Sequence, residues 1–96
     1  MQILLVGLNH HTAPVAVREK VAFTEKQIKE AIPVLDSKVN QSVILSTCNR
    51  TEVYAVVENP ESAAEIVTTF LSSFHKIETS SIKPLLYVKT DLEAVI

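Results

Sequence analysis

Apolar residues follow two rhythms along this chain, and the change from one to the other marks its elements. Residues 2–8, QILLVGL, form a continuous apolar run of strand length, as a buried strand requires. Thr12-Ala13-Pro14 then predicts a helix start, because proline is tolerated in the first turn and Val17 and Val21 share a face. Thr24 and Gln27 form a Thr-x-x-Gln capping box. Behind it Ile28, Ala31, Ile32 and Leu35 take the i, i+3, i+4, i+7 spacing of an amphipathic helix. Pro33 removes one backbone hydrogen bond from that helix and predicts a kink or an early stop.

The rhythm then changes. Residues 42–48, SVILSTC, and 51–58, TEVYAVVE, read as strands rich in β-branched and aromatic residues. Asn49 and Arg50 lie between them as a two-residue hairpin connection, where positive φ is wanted and Asn tolerates it better than most side chains. Ala63, Ile66, Val67, Phe70, Leu71 and Phe74 hold one face of a helix over about 61–75. Pro84 precedes a last short strand, LLYVK. The order predicts an α+β chain of the ferredoxin-like, split βαβ kind: a four-stranded antiparallel sheet with helices on one face. A three-stranded sheet with 85–89 as loop is the alternative.

Thr90 or Asp91 can cap a further helix, of which LEAVI is about a turn and a half. So short a helix has little stability of its own, which predicts that 1–96 is a single domain cut from a longer polypeptide at its C-terminal end. In a split βαβ sheet the first two strands run parallel, so Asn9-His10-His11-Thr12 shares one edge with the hairpin tip. The last strand ends at the far edge. A helix of about 11 residues starting near Asp91 would return across the sheet and bring residues just beyond Ile96 toward Cys48.

Composition narrows the chemistry. The chain is 47% apolar and 21% charged, in the range of soluble globular proteins. It has no apolar stretch of the roughly 20 residues that crossing a membrane takes. The start, MQILLVGLN, lacks a basic leader and a small-residue cleavage site. With its single cysteine the chain forms no internal disulfide, and a reducing, cytoplasmic location is expected. The three histidines have no Cys/His spacing pattern, so no structural zinc site is expected. A net charge of −2 with scattered Lys and Arg is not the footprint of a domain that holds nucleic acid unaided. The single glycine, Gly7, rules out a glycine-rich phosphate loop of either the dinucleotide or the P-loop kind.

What chemistry remains centres on Thr47-Cys48-Asn49-Arg50. A cysteine closing an apolar strand is more often core filler than nucleophile. Against that, its same-face neighbours Ile44 and Ser46 grow more polar toward the tip, and a tight turn follows at once. A nearby guanidinium favours the thiolate, and Arg50 can also grip a carboxylate with two parallel hydrogen bonds. Thr47 and Asn49 add a hydroxyl and an amide. The four together suit attack on an acyl carbon whose substrate carries a carboxylate. His10 and His11 read first as a solvated loop and only second as a catalytic base.

GLNHHTAPVAVREKVAF at 7–23 and LSTCNRTEVY at 45–54 closely resemble the N-terminal segments of glutamyl-tRNA reductase, and the likeness covers essentially the whole chain. That enzyme reduces glutamyl-tRNA to glutamate-1-semialdehyde with NADPH, the first committed step of tetrapyrrole synthesis from glutamate. The resemblance implies that Cys48 is the nucleophile forming a glutamyl thioester. It further implies that Thr47, Asn49 and Arg50 hold the glutamyl group, with Arg50 on its side-chain carboxylate. The family's NADPH-binding domain, helical dimerisation domain and catalysis-associated histidine lie beyond Ile96. This segment is therefore expected to bind no NADPH and not to complete the reduction. Partners implied are glutamyl-tRNA, a second copy joined through the absent domain, and an aminotransferase acting on the aldehyde. The competing reading is a non-catalytic ferredoxin-like binding or regulatory module, in which Cys48 would be inert toward alkylation.

Overall fold

The structure is a computed structural model that describes residues 1–91 and Ala94. Four strands, β1 (Gln2–Asn9), β2 (Gln41–Ser46), β3 (Arg50–Val57) and β4 (Tyr87–Thr90), form one sheet in the order β2-β3-β1-β4. Every neighbouring pair is antiparallel, so β1 and β2 run parallel on either side of β3. This is the split βαβ sheet, and pairing of Tyr87–Thr90 with Leu4–Gly7 disposes of the three-stranded alternative.

β1 is central and buried from Leu4 to Leu8. Strand side chains alternate, so Leu4, Val6 and Leu8 face the helices while Leu5 and Gly7 face the other way. The helical layer comprises α1 (Val15–Val21), α2 (Glu25–Asp36) and α3 (Pro60–His75). Its Val21, Ala31, Leu35, Val67, Phe70 and Leu71 share one core with Leu4, Val6, Leu8, Ile44 and Val53. Full burial of a Leu or Val side chain is worth about 1.5–3 kcal/mol, so this face holds most of the fold's free energy.

Local signals set the helix ends. The α2 capping box is closed in both directions, by Gln27 N–H to Thr24 Oγ1 at 3.1 Å and Thr24 N–H to Gln27 Oε1 at 2.9 Å. α2 does not stop at Pro33 but runs through it to Asp36. Pro33 is exposed, so water can take the carbonyl it leaves unpaired. At α3, Asn59 Oδ1 accepts from the N–H groups of Glu61 and Ser62, and Pro60 opens the first turn. Lys76 closes that helix in the left-handed conformation, φ 56°. A short α4 (Thr79–Ile82) and a 3-10 turn (Lys83–Leu85) precede β4. The turn of helix read into LEAVI falls on residues 92, 93, 95 and 96, outside the described residues, and Ala94, which is buried.

His75 closes the aromatic end of the core, edge-on to Phe23 with ring centroids 4.4 Å apart. Its Nε2 is buried with no hydrogen-bond partner, and burial lowers its pKa from the ordinary 6.5. A histidine that is harder to protonate folded than unfolded contributes stability present above pH 6.5 and lost as pH falls below it. Thermal melts from pH 7.5 to 5.5 should show a decline that His75→Phe flattens; equal declines in both proteins would exclude this role.

Candidate active site

The site lies at the end of the sheet where β1 finishes and the β2–β3 hairpin turns, Asn9 pairing with Arg50. The exit from β1 is locked by its own side chains. Asn9 Oδ1 accepts from the N–H of His11 at 2.9 Å and Thr12 at 3.2 Å, and Asn9 N–H donates to Thr12 Oγ1 at 3.0 Å. This turn feeds directly into α1, whose Arg18 reaches back across it. Arg18 Nε donates to the Ala13 carbonyl at 3.2 Å and Nη1 to the Cys48 carbonyl at 3.1 Å.

The hairpin departs from its sequence reading by one residue. Thr47 N–H donates to the Arg50 carbonyl at 2.8 Å, so Cys48 and Asn49 are the two turn residues and Arg50 is the first residue of β3. Neither turn residue has positive φ. Instead the Thr47 hydroxyl accepts from Asn49 N–H at 3.2 Å, a side-chain-supported turn that needs no left-handed residue. Thr47, Cys48 and Asn49 are all exposed, and the thiol is free.

Cys48 and Arg50 line different clefts, one on each side of the sheet. Cys48, Thr47 and Asn49 line a hollow of about 280 Å³ against α1, with Val15, Arg18, Glu19 and Ala22. Arg50 lines a hollow of about 380 Å³ on the opposite face, with Asn9, His11, Glu52, Tyr87 and Lys89 among its walls. Alternation along β3 explains this: Thr51, Val53, Ala55 and Val57 point into the core, so Arg50, Glu52 and Tyr54 point away.

Glu52 organises the second cleft. It is 4% exposed, accepting from Tyr54 OH at 3.2 Å and Tyr87 OH at 2.5 Å. Arg50 Nη1 lies 3.7 Å from its carboxylate. Burial, with Glu52 beside it, raises the pKa of each tyrosine, so both stay protonated as donors. Arg50 is thus held at one corner while the rest of its donor fork remains able to take a second carboxylate. His11 joins this cleft; both histidines are exposed, and their ring centroids lie 4.0 Å apart with the planes tilted by 40°. The His11 charge foremost, then partial desolvation and the Arg18 and Arg50 charges, lower the pKa of His10.

Among the described residues no group of three or more His, Cys, Asp or Glu is placed to hold a metal ion. No helix there is long and apolar enough to cross a membrane.

Residues 6–96 match the family described as glutamyl-tRNAGlu reductase, N-terminal domain. The chain belongs to that family. It is 42% identical to the glutamyl-tRNA reductase of Hydrogenovibrio crunogenus over 99% of this chain and 22% of that protein. It is 43% identical to the glutamyl-tRNA reductase of Thermodesulfovibrio yellowstonii over 99% of this chain and 24% of that protein. Among solved structures, glutamyl-tRNA reductase from Methanopyrus kandleri superposes with a TM-score of 0.62 at 28% identity, covering 97% of this chain and 20% of that one. The chain therefore spans under a quarter of the length of the curated reductases it matches.

As a glutamyl-tRNA reductase N-terminal domain, the chain brings Thr47, Cys48 and Asn49 together on one turn and sets Arg50 over the rim. Sequence reading missed Arg18, Glu52 and Tyr87. Arg18 finds its partner 30 residues away, beyond any local pattern. Glu52 had a signal in the lone glycine opposite it, since a glycine inside a strand marks close approach.

Proposed function

We propose that this segment captures the glutamyl group of glutamyl-tRNA as a thioester on Cys48, opening the NADPH-dependent reduction to glutamate-1-semialdehyde in tetrapyrrole synthesis. The observation that carries it is an exposed thiol two residues from an arginine that faces an open polar cleft. Two residues place the Cα atoms of Cys48 and Arg50 at most about 7 Å apart, so the acyl group is taken to run from the rim into the Arg50 cleft. The side-chain carboxylate sits on Arg50, with Lys89 adding charge, and the ester carbonyl lies over Cys48. The sulfur forms a bond to the carbonyl carbon, the carbon–oxygen bond to the terminal ribose breaks, and the ribose oxygen takes a proton. Thr47 and Asn49 offer a hydroxyl and an amide to the carbonyl oxygen as charge develops there.

The described residues do not fit a dinucleotide's pyrophosphate. Gly7, the sole glycine, is paired inside β1, so no glycine turn is available to cradle phosphate. Hydride transfer is assigned to parts of the longer reductases outside this segment.

Arg50→Gln should lower the rate at which Cys48 is acylated by glutamyl-tRNA about 100-fold. That corresponds to ~3 kcal/mol for a lost bidentate charge pair. Donors charged with glutamine in place of glutamate should lose the difference between the two proteins. Intact-protein mass spectrometry reads both, and an Arg50→Gln rate equal to wild type would remove the clamp. A thiol inert to iodoacetamide would instead favour the non-catalytic binding module.

A further inference from the structure

A thiol on a rim between two clefts divides any ester it attacks into two arms. If the acyl arm occupies the Arg50 cleft, the leaving alcohol points to the α1 side, where Cys48 has its own hollow of about 280 Å³. That volume is near the ~300 Å³ lower bound of ligand clefts and suits one nucleoside. Its walls are of the matching kinds. Val15 is 55% exposed, an aliphatic surface at the opposite end of α1 from Ala22 in the same hollow, against which a base can lie. Asn49 offers a side-chain amide beside it, and Glu19 an acceptor for ribose hydroxyls or a base amino group. Arg18 spends two donors on backbone carbonyls and, among the described residues, forms no ion pair, leaving its charge for a phosphate.

We propose that this hollow is the nucleotide subsite of the acyl donor, taking the 3′-terminal adenosine with Arg18 on its 5′-phosphate. The proposal rests on the thioester reading, and it assigns the two clefts to the two arms of one substrate. It also accounts for a domain of net negative charge handling a nucleic acid: a single terminal nucleotide is gripped, rather than a long backbone.

The test is a titration of the ¹⁵N-labelled chain, followed by amide shifts, with AMP, adenosine and glutarate as separate probes. AMP at millimolar concentration should move Val15, Arg18, Ala22 and Thr47–Asn49, whereas glutarate should move Asn9, Arg50 and Tyr87. Val15→Glu should weaken AMP at least tenfold and leave glutarate unchanged. Arg18→Gln should bring AMP down to the affinity of adenosine. A native-like spectrum of each variant before titration establishes that it is folded. AMP shifts centred on the Arg50 cleft, scattered over basic surface, or absent throughout the millimolar range would overturn the assignment. Cys48 acylation by glutamyl-tRNA is read separately by mass. Its failure with AMP still mapped to α1 overturns the thioester reading and leaves the nucleotide site standing.

Discussion

Cys48→Ser is expected to keep the fold and, on the proposed thioester chemistry, to lose all covalent capture of the glutamyl group. The side chain is exposed at a turn whose hydrogen bonds come from its neighbours. An isosteric change there should therefore alter stability by no more than about 0.5 kcal/mol. Reactivity is another matter. A thiol is partly ionised near neutral pH and strongly nucleophilic, whereas a hydroxyl needs an adjacent base to remove its proton. Among the described residues no histidine lines the hollow of Cys48; the histidines of this edge belong to the β1 turn and the opposite cleft. With glutamyl-tRNA the wild-type chain should gain the mass of one glutamyl group, released by hydroxylamine, and the serine variant should gain none. An adduct of equal yield on the variant would place the nucleophile elsewhere.

Gly7→Ala should be the most damaging single methyl in the sheet. A Cβ at Gly7 would lie 2.7 Å from the Thr51 carbonyl oxygen and 2.8 Å from Glu52 Cγ. Both neighbours are fixed, the first in the β1–β3 ladder and the second by two tyrosine hydroxyls. Overpacking of this kind costs about 1–3 kcal/mol, partly offset by the ~0.5–1 kcal/mol that alanine recovers over glycine in a strand. At about 4–8 °C per kcal/mol for a domain of this size, a midpoint fall of roughly 5–15 °C is expected. Displacing Glu52 also frees Arg50, so glutarate binding should weaken along with stability. A Tm within about 1 °C of wild type, with glutarate binding intact, would mean that the two strands part at no cost.

Much of this was legible because it is local. The Thr24–Gln27 box closes within one helical turn, and the apolar spacing of α2 and α3 maps onto the core except at Ile66, which is exposed. The order of strands and helices sufficed for the sheet, since few topologies satisfy it. What escaped was non-local. The hairpin slipped by one residue because Thr47 pairs with Arg50, so the ladder stops short of Cys48 on one strand and takes in Arg50 on the other. Proximity in sequence placed Arg50 beside the thiol, yet the two-residue period of β3 directs its guanidinium to the other face. Arg18, from a helix that the sequence marked only by its start and by Val17 and Val21 on one face, is the arginine that touches the Cys48 backbone.

An uncovered thiol without an internal mate also governs how this polypeptide ages. In air its sulfur can only join that of another molecule or climb the oxidation ladder. Stored without reductant, preparations should accumulate covalent pairs that dithiothreitol reverses, followed by sulfinate that it does not. The same exposure that the thioester proposal requires leaves the protein perishable.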